Sequence, residues 1–146
     1  YRCGFETIRL GLETASFVNR KTFDNKVTRP EFARAVSCLQ EAGFTAGRIG
    51  AYVLAGLPGQ SLDEVITSLA RVAEKGITPI PAYYTPIPHT ALWEAAVACS
   101  PYDLAADPIF TNNALFPCRP EGFSWAARSR LKDISIPARN GTGQGD

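Results

Sequence analysis

At 146 residues, 45% of them hydrophobic and 20% charged, the chain has the composition of one ordinary globular domain. Its formal net charge of +1 gives no electrostatic case for nucleic acid or an acidic membrane surface as partner. No apolar run approaches the roughly 18 residues of a membrane span, and no charged-then-apolar leader is expected.

Three nearly evenly spaced glycine-plus-apolar steps punctuate the chain: Gly4 with Phe5, Gly43 with Phe44, and Gly76 with Ile77. Each leads into a strand-like run, as expected where a glycine closes a helix in the left-handed conformation and the chain enters the next strand. Thr7 to Leu12 alternates as a strand and turns at Glu13 and Thr14. Thr28, Arg29, Pro30 and Glu31 make a capping box with proline in the first turn. Phe32, Val36 and Leu39 then recur at helical spacing up to the stop at Gly43.

Ile49 to Ala55 is a continuous apolar run, the pattern of a strand covered on both faces. A second capping box, Ser61 to Glu64, opens a helix with Leu62, Ile66, Leu69 and Ala73 as its stripe, and Gly76 ends it. Pro79 to Thr85 is a third strand, and its two prolines place it at a sheet edge or leave it paired on one side only. Thr90 is the expected cap of a short helix reaching Ala98, although Glu94 lies one place too late for a capping box. Between Ser100 and Gly122 four prolines break the pattern. Phe123 to Ile134 reads as one basic helix, and Gly141 to Asp146 as disordered.

The expected fold class is therefore α/β. The order β-α-β-α-β-α predicts parallel strands, either part of a (β/α) barrel or a slice of an open sheet, with an irregular C-terminal tail. The domain assignment is 1–118 for the β/α body and 119–146 for a poorly ordered tail with one possible helix. There is no methionine and the sequence begins at Tyr1, while Gly4 sits where it would close a preceding helix. The chain thus reads as a piece of a longer α/β protein.

In parallel α/β folds ligands bind at the C-terminal ends of the strands, so the three exits matter most. Glu13 leaves the first strand, placed either to bind a ligand amine or ribose hydroxyl or as a solvated turn residue. The second exit, Gly56 to Ser61, is a tight loop before a capped helix. Its amides suit either an anion, such as a phosphate, or a plain strand-to-helix turn. It lacks the Walker and dinucleotide spacings. The third exit carries Tyr83, Tyr84, Thr85, Pro86, Pro88 and the single histidine, His89. The aromatics fit either a flat wall for a base or ordinary packing, and His89 reads as a surface residue.

Cys3, Cys38, Cys99 and Cys118 have no metal-ligand or redox spacing, so no metal site is expected. Cys38 reads as a small buried hydrophobe on its helix. A reduced, cytoplasmic setting follows from the lack of a disulfide framework. Arg128, Arg130 and Lys132 read as a solvated helix face. Phe110, Phe116, Phe123 and Trp125 are the surface that a non-catalytic, partner-binding reading would use.

Taken together the three exits are more specific than any one. GLET at 11–14, IGAYVLAGLPGQS at 49–61 and YYTPIPHTALWE at 83–94 occur in that order, each on its own β/α unit. Over residues 1–118 this resembles the second half of the radical S-adenosylmethionine catalytic domain. The likeness is greatest to the members sharing a Gly-Leu-Pro-Gly-Gln loop, some of which bind cobalamin.

The resemblance implies a partial, TIM-barrel-like six-unit β/α barrel. There a [4Fe–4S] cluster on a CxxxCxxC loop cleaves S-adenosylmethionine to a 5′-deoxyadenosyl radical, which abstracts hydrogen from a substrate. It further implies that Glu13 and Lys26 lie near the methionyl part of the cofactor, with the Gly56 loop also in the site. Tyr52 takes the ribose-facing position, which is an aspartate in some relatives. Tyr84, Thr85 and Pro86 line the adenine. The chain contains no CxxxCxxC, so cluster ligands, and the N-terminal half of the domain as partner, are expected elsewhere in the parent protein. Taken alone the chain is expected to be inactive. A half-barrel with unpaired edges should also express poorly, and a sharp cooperative melt would count against that.

Overall fold

The computed structural model describes residues 3–14, 27–118 and 123–135. Lys26 and the stretch Gly141 to Asp146 lie outside the described residues. Among those described, three strands and four α-helices alternate: β1 (Ile8–Glu13), α1 (Arg29–Glu41), β2 (Ile49–Ala55), α2 (Leu62–Ala73), β3 (Thr78–Tyr83), α3 (Trp93–Cys99) and α4 (Trp125–Ser135). The strands form one parallel sheet in the order β1-β2-β3. Ile8 pairs with Ile49, and Gly50 with Thr78.

Both capping boxes form. Thr28 Oγ1 accepts the Glu31 amide while Glu31 Oε2 accepts the Thr28 amide, and Ser61 and Glu64 repeat the exchange at α2. The bonds from Thr28 hold the Glu31 carboxyl below its ordinary range. At the far end of α1 the Phe44 amide reaches Leu39 O and the Gly43 amide reaches Gln40 O, closing the helix as a Schellman turn. This needs a left-handed residue, and Gly43 has φ +97°. Gly4 and Gly76 share that conformation at +83° and +68°.

The core lies on one side of the sheet. Ile49, Ala51, Val53 and Ala55 of β2 are all at most 1% exposed and meet Phe32 and Val36 of α1 and Val65, Leu69 and Val72 of α2. The other face of β2 carries Gly50, Tyr52 and Leu54, with Tyr52 42% exposed. The two-sided cover expected from the apolar run is thus corrected to one-sided cover. At Gly50 a Cβ would come within 2.7 Å of Ile80 Cδ1 and 3.0 Å of Arg9 Cδ, so those side chains would have to shift.

β3 is an edge strand. The Tyr84 amide donates to Ala55 O, so Pro79 and Pro81, of the opposite parity, turn their ring nitrogens to the free edge. The strand begins one residue earlier and ends two earlier than expected from the sequence.

Other expectations are corrected in phase. The stripe of α2 is Val65, Ser68, Leu69 and Val72, with Leu62 and Ile66 at its margin and Ala73 exposed. Cys38 is exposed, because it falls on the face of α1 away from Phe32 and Val36. α3 starts at Trp93 without a side-chain cap, and the Thr90 hydroxyl donates to Ile87 O instead.

Residues 123–135, expected as a helix within a separate tail, join the main core. Ala127 and Leu131 of α4 are buried and pack with Phe116 and Phe123 against β3 and α2. Arg128 is half-buried rather than solvated, its guanidinium 4.6 Å from the Tyr83 ring centre and 5.3 Å from that of Trp125. Arg130 and Lys132 are exposed as expected.

Candidate ligand cavity at the strand ends

Glu13 ends β1 in an unusual backbone state, φ +62°. The Leu12 carbonyl accepts the Thr14 amide across it at 2.7 Å, and the pairing with β2 slips between Gly11 and Glu13. A left-handed glutamate beside a bulge costs free energy that surrounding structure must offset, and such outliers concentrate at functional sites. Leu12 is buried on the helix side. Glu13 folds back over the open face, its Oε1 3.7 Å from where a Cβ on Gly11 would stand.

An open cavity of about 450 Å³ lies at this end of the sheet, lined by Glu13, Leu54, Leu57, Tyr84 and Thr85, with Ile87 and residues 90–92 along its rim. That size falls in the roughly 300–1,000 Å³ range of small-molecule sites. Its walls are mostly apolar, with one carboxylate at the β1 side and an aromatic ring at the β3 side. Such a lining suits a flat heterocycle carrying hydroxyl or amine donors.

The loop after β2 forms the floor and is closed on itself. Gln60 is buried, and its Oε1 accepts both the Gly56 amide at 2.9 Å and the Leu57 amide at 3.2 Å. Its Nε2 donates to Leu54 O at 3.0 Å. The Gln60 amide bonds back to Leu57 O, and the Ser61 amide is held by Glu64. The Gly56, Leu57, Gln60 and Ser61 amides are therefore taken, and Asp63 and Glu64 add negative charge to the first turn of α2. Gly56, at φ +89°, supplies the turn rather than a contact to the cavity.

Of the residues singled out in the sequence, the structure brings Glu13, Tyr84 and Thr85 to one cavity. Pro86 is buried beside it, and Tyr52 projects from the open sheet face without lining it. Lys26 lies outside the described residues. His89 is exposed at φ +64° and does not line the cavity. No cluster of three or more metal-ligating side chains occurs among the described residues. Two contributors escaped the sequence reading. Leu54 belongs to the open face of β2, which an unbroken apolar run conceals. Gln60 is a polar residue inside an apolar loop, and its spacing from Gly56 was the available signal.

Tyr84 also anchors the wall from behind, where its hydroxyl is buried with no hydrogen-bond partner among the described residues. Its phenol is pushed up to about 12, first by burial and then by the neighbouring thiols of Cys118 and Cys99. A raised acid of this kind contributes fully below the ordinary value of 10.0, and the contribution is lost as pH rises through about 12. Spectrophotometric titration should therefore show a tyrosine step near pH 12 that shrinks in Tyr84→Phe. An unchanged step in the variant would contradict the assignment.

A second cavity, about 220 Å³, lies on the helix-covered side between Leu12, Phe32 and Val72, with Arg29, Arg71, Glu74 and Lys75 around it. It is remote from the strand exits in character, because mixed charges surround it and no residue of the open face reaches it. No helix among the described residues is long and apolar enough to cross a membrane. Comparison of the chain with protein-family models, with curated proteins and with solved structures returned no match.

Proposed function

We propose that the chain is the second half of a radical S-adenosylmethionine barrel and that its strand-end cavity holds the adenosyl part of that cofactor. The observation that carries this reading is the convergence of Glu13, Tyr84 and Thr85, from opposite edges of the sheet, on one largely apolar cavity. The Glu13 carboxylate accepts from the ribose hydroxyls or the methionyl amine. The Tyr84 ring and the Leu54 and Leu57 side chains exclude water from the base and give it an apolar surface. Thr85 offers a hydroxyl at the rim, and Gln60 keeps the floor rigid. Tyr52 faces the bare side of the sheet, which in a closed barrel is the interior where a substrate sits. Three strands with the helical core on a single side fit a barrel segment of this kind.

The sequence has no CxxxCxxC and the described residues hold no group of three or more metal-ligating side chains, so this reading puts the [4Fe–4S] group on the N-terminal half of the parent. With S-adenosylmethionine bound, such a cluster would supply the one electron for reductive cleavage of that cofactor, the chemistry that leads to hydrogen abstraction. Cobalamin, carried by some proteins with this loop, is a further cofactor open to the parent. A cytoplasmic setting belongs to the same reading. The phosphate-binding alternative is disfavoured because the Gly56 and Leu57 amides are already bonded to Gln60. The partner-docking alternative is disfavoured because Phe116 and Phe123 are core residues and Phe110 stacks on Tyr102, which leaves Trp125, 63% exposed, as the one open aromatic of the four.

Reading the coding DNA upstream of Tyr1 in the same frame tests the proposal. It predicts an open frame that reaches a CxxxCxxC loop following a strand. A start codon directly before Tyr1 would sink it.

A further inference from the structure

The second cavity, on the helix-covered side of the sheet, joins an apolar inner wall to a charged mouth. Leu12, Phe32 and Val72 form the wall, and each is at most 6% exposed. Around them stand Arg29 at the start of α1, Arg71 in the last turn of α2, and Lys75 just beyond that helix. Glu74 is the one carboxylate among the described lining residues, so three cations face a single anion. All four charged residues are exposed. The formal charge of the whole chain is only +1, so the excess at this mouth is local.

We propose that this cavity binds a small amphiphilic anion, a carboxylate or phosphate monoester on a short apolar body. The body rests on Leu12, Phe32 and Val72, and the head group meets Arg29, Arg71 and Lys75. At about 220 Å³ the space is smaller than the roughly 300–1,000 Å³ of drug-sized ligand sites, which limits the body to a short chain or a single ring. An amine would add to the positive excess, so the cavity selects against cationic ligands.

Helix electrostatics explains only part of the arrangement. Arg71 and Lys75 lie at the C-terminal end of α2, where the helix dipole favours cations. Arg29 is the first residue of α1, where the same dipole opposes a positive charge. A negative head group beside Arg29 offsets that cost. Long basic side chains also suit such a mouth, because their stems cover apolar surface while their charged ends stay at solvent. Leu12 connects the two cavities: it belongs to the wall here, and the next residue, Glu13, lines the strand-end cavity. Binding at this second cavity is independent of what the first one holds.

The test titrates the isotopically labelled whole chain with hexanoate, hexyl phosphate, hexanol and inorganic phosphate, followed by NMR. Hexanoate, hexyl phosphate or both should give saturable shifts at Leu12, Phe32 and Val72, with Tyr84 and Thr85 unchanged. The tighter of the two identifies the head group. Hexanol carries the body without the charge, and inorganic phosphate the charge without the body, so each should bind several-fold more weakly. Arg29→Gln and Lys75→Gln should each weaken the anion about two- to fivefold, the range for one exposed ion pair, while Arg130→Gln should not. Raising sodium chloride to about 0.5 M should weaken it as well. The proposal is overturned if neither anion shifts those residues saturably, or if the shifts centre on Tyr84 and Thr85. It is equally overturned if hexanol matches hexanoate, if inorganic phosphate matches hexyl phosphate, or if both cavity variants bind unchanged. Titration of the wild-type chain decides this even where a variant fails to fold.

Discussion

Replacing Gln60 by leucine is expected to lower the unfolding free energy by about 2–4 kcal/mol, although the side chains are similar in size. The amide group satisfies two buried backbone N–H groups and one carbonyl at once. Leaving a buried donor or acceptor without a partner costs about 1–3 kcal/mol each, and the loop has no second side chain positioned to replace them. The measurement is urea unfolding, read as a lower midpoint at unchanged slope. The same variant should speed amide exchange at Gly56 and Leu57 before any other part of the sheet. A loss under about 0.5 kcal/mol would mean that water reaches these amides and that the floor of the cavity is open.

Leu131→Ala is expected to cost about 2–5 kcal/mol, the range for truncating a fully buried leucine. Leu131 is 0% exposed and sits where α4 meets β3 and α2. Calorimetry of the variant should show a single transition at lower temperature. Arg130→Ala, one residue away on the exposed face, should change little. A small loss at Leu131, or a separate early transition for α4, would make the C-terminal helix an appendage instead of part of the core.

Local chemistry was the most legible part of the sequence. Thr28 with Glu31 and Ser61 with Glu64 mark helix starts because each signal lies within four residues, and both boxes form as read. The left-handed glycines after α1 and α2 are local in the same way. What the sequence concealed was set by contacts between distant segments. Val53 and Leu54 are equally apolar, yet one is buried against helices and the other lines a cavity. Periodicity on α2 pointed to Ala73, but packing against both the sheet and α4 turned the buried stripe to Val72. Arg128 reads as one of three basic residues at helical spacing. Only the fold brings Tyr83, Phe116 and Trp125 around it.

The candidate site divides along the same line. Glu13, Tyr84 and Thr85 were legible because they leave parallel strands at the end where ligands bind. The loop from Gly56 to Ser61 was legible as a tight turn. That two of its amides are already bonded depends on the side chain of Gln60, four residues from the Gly56 amide. Tyr52 shows the limit of alignment by motif. The resemblance implies a ribose-facing role for it, yet its side chain projects from the sheet and does not line the cavity.

Titration of the isotopically labelled chain with S-adenosylmethionine, followed by NMR, tests the central claim most directly. The account predicts saturable shifts at Glu13, Leu54, Tyr84 and Thr85, weakened by Glu13→Gln and not reproduced by inorganic phosphate. Absence of any saturable shift, or a response centred on Gly56 to Ser61 that inorganic phosphate reproduces, would contradict it.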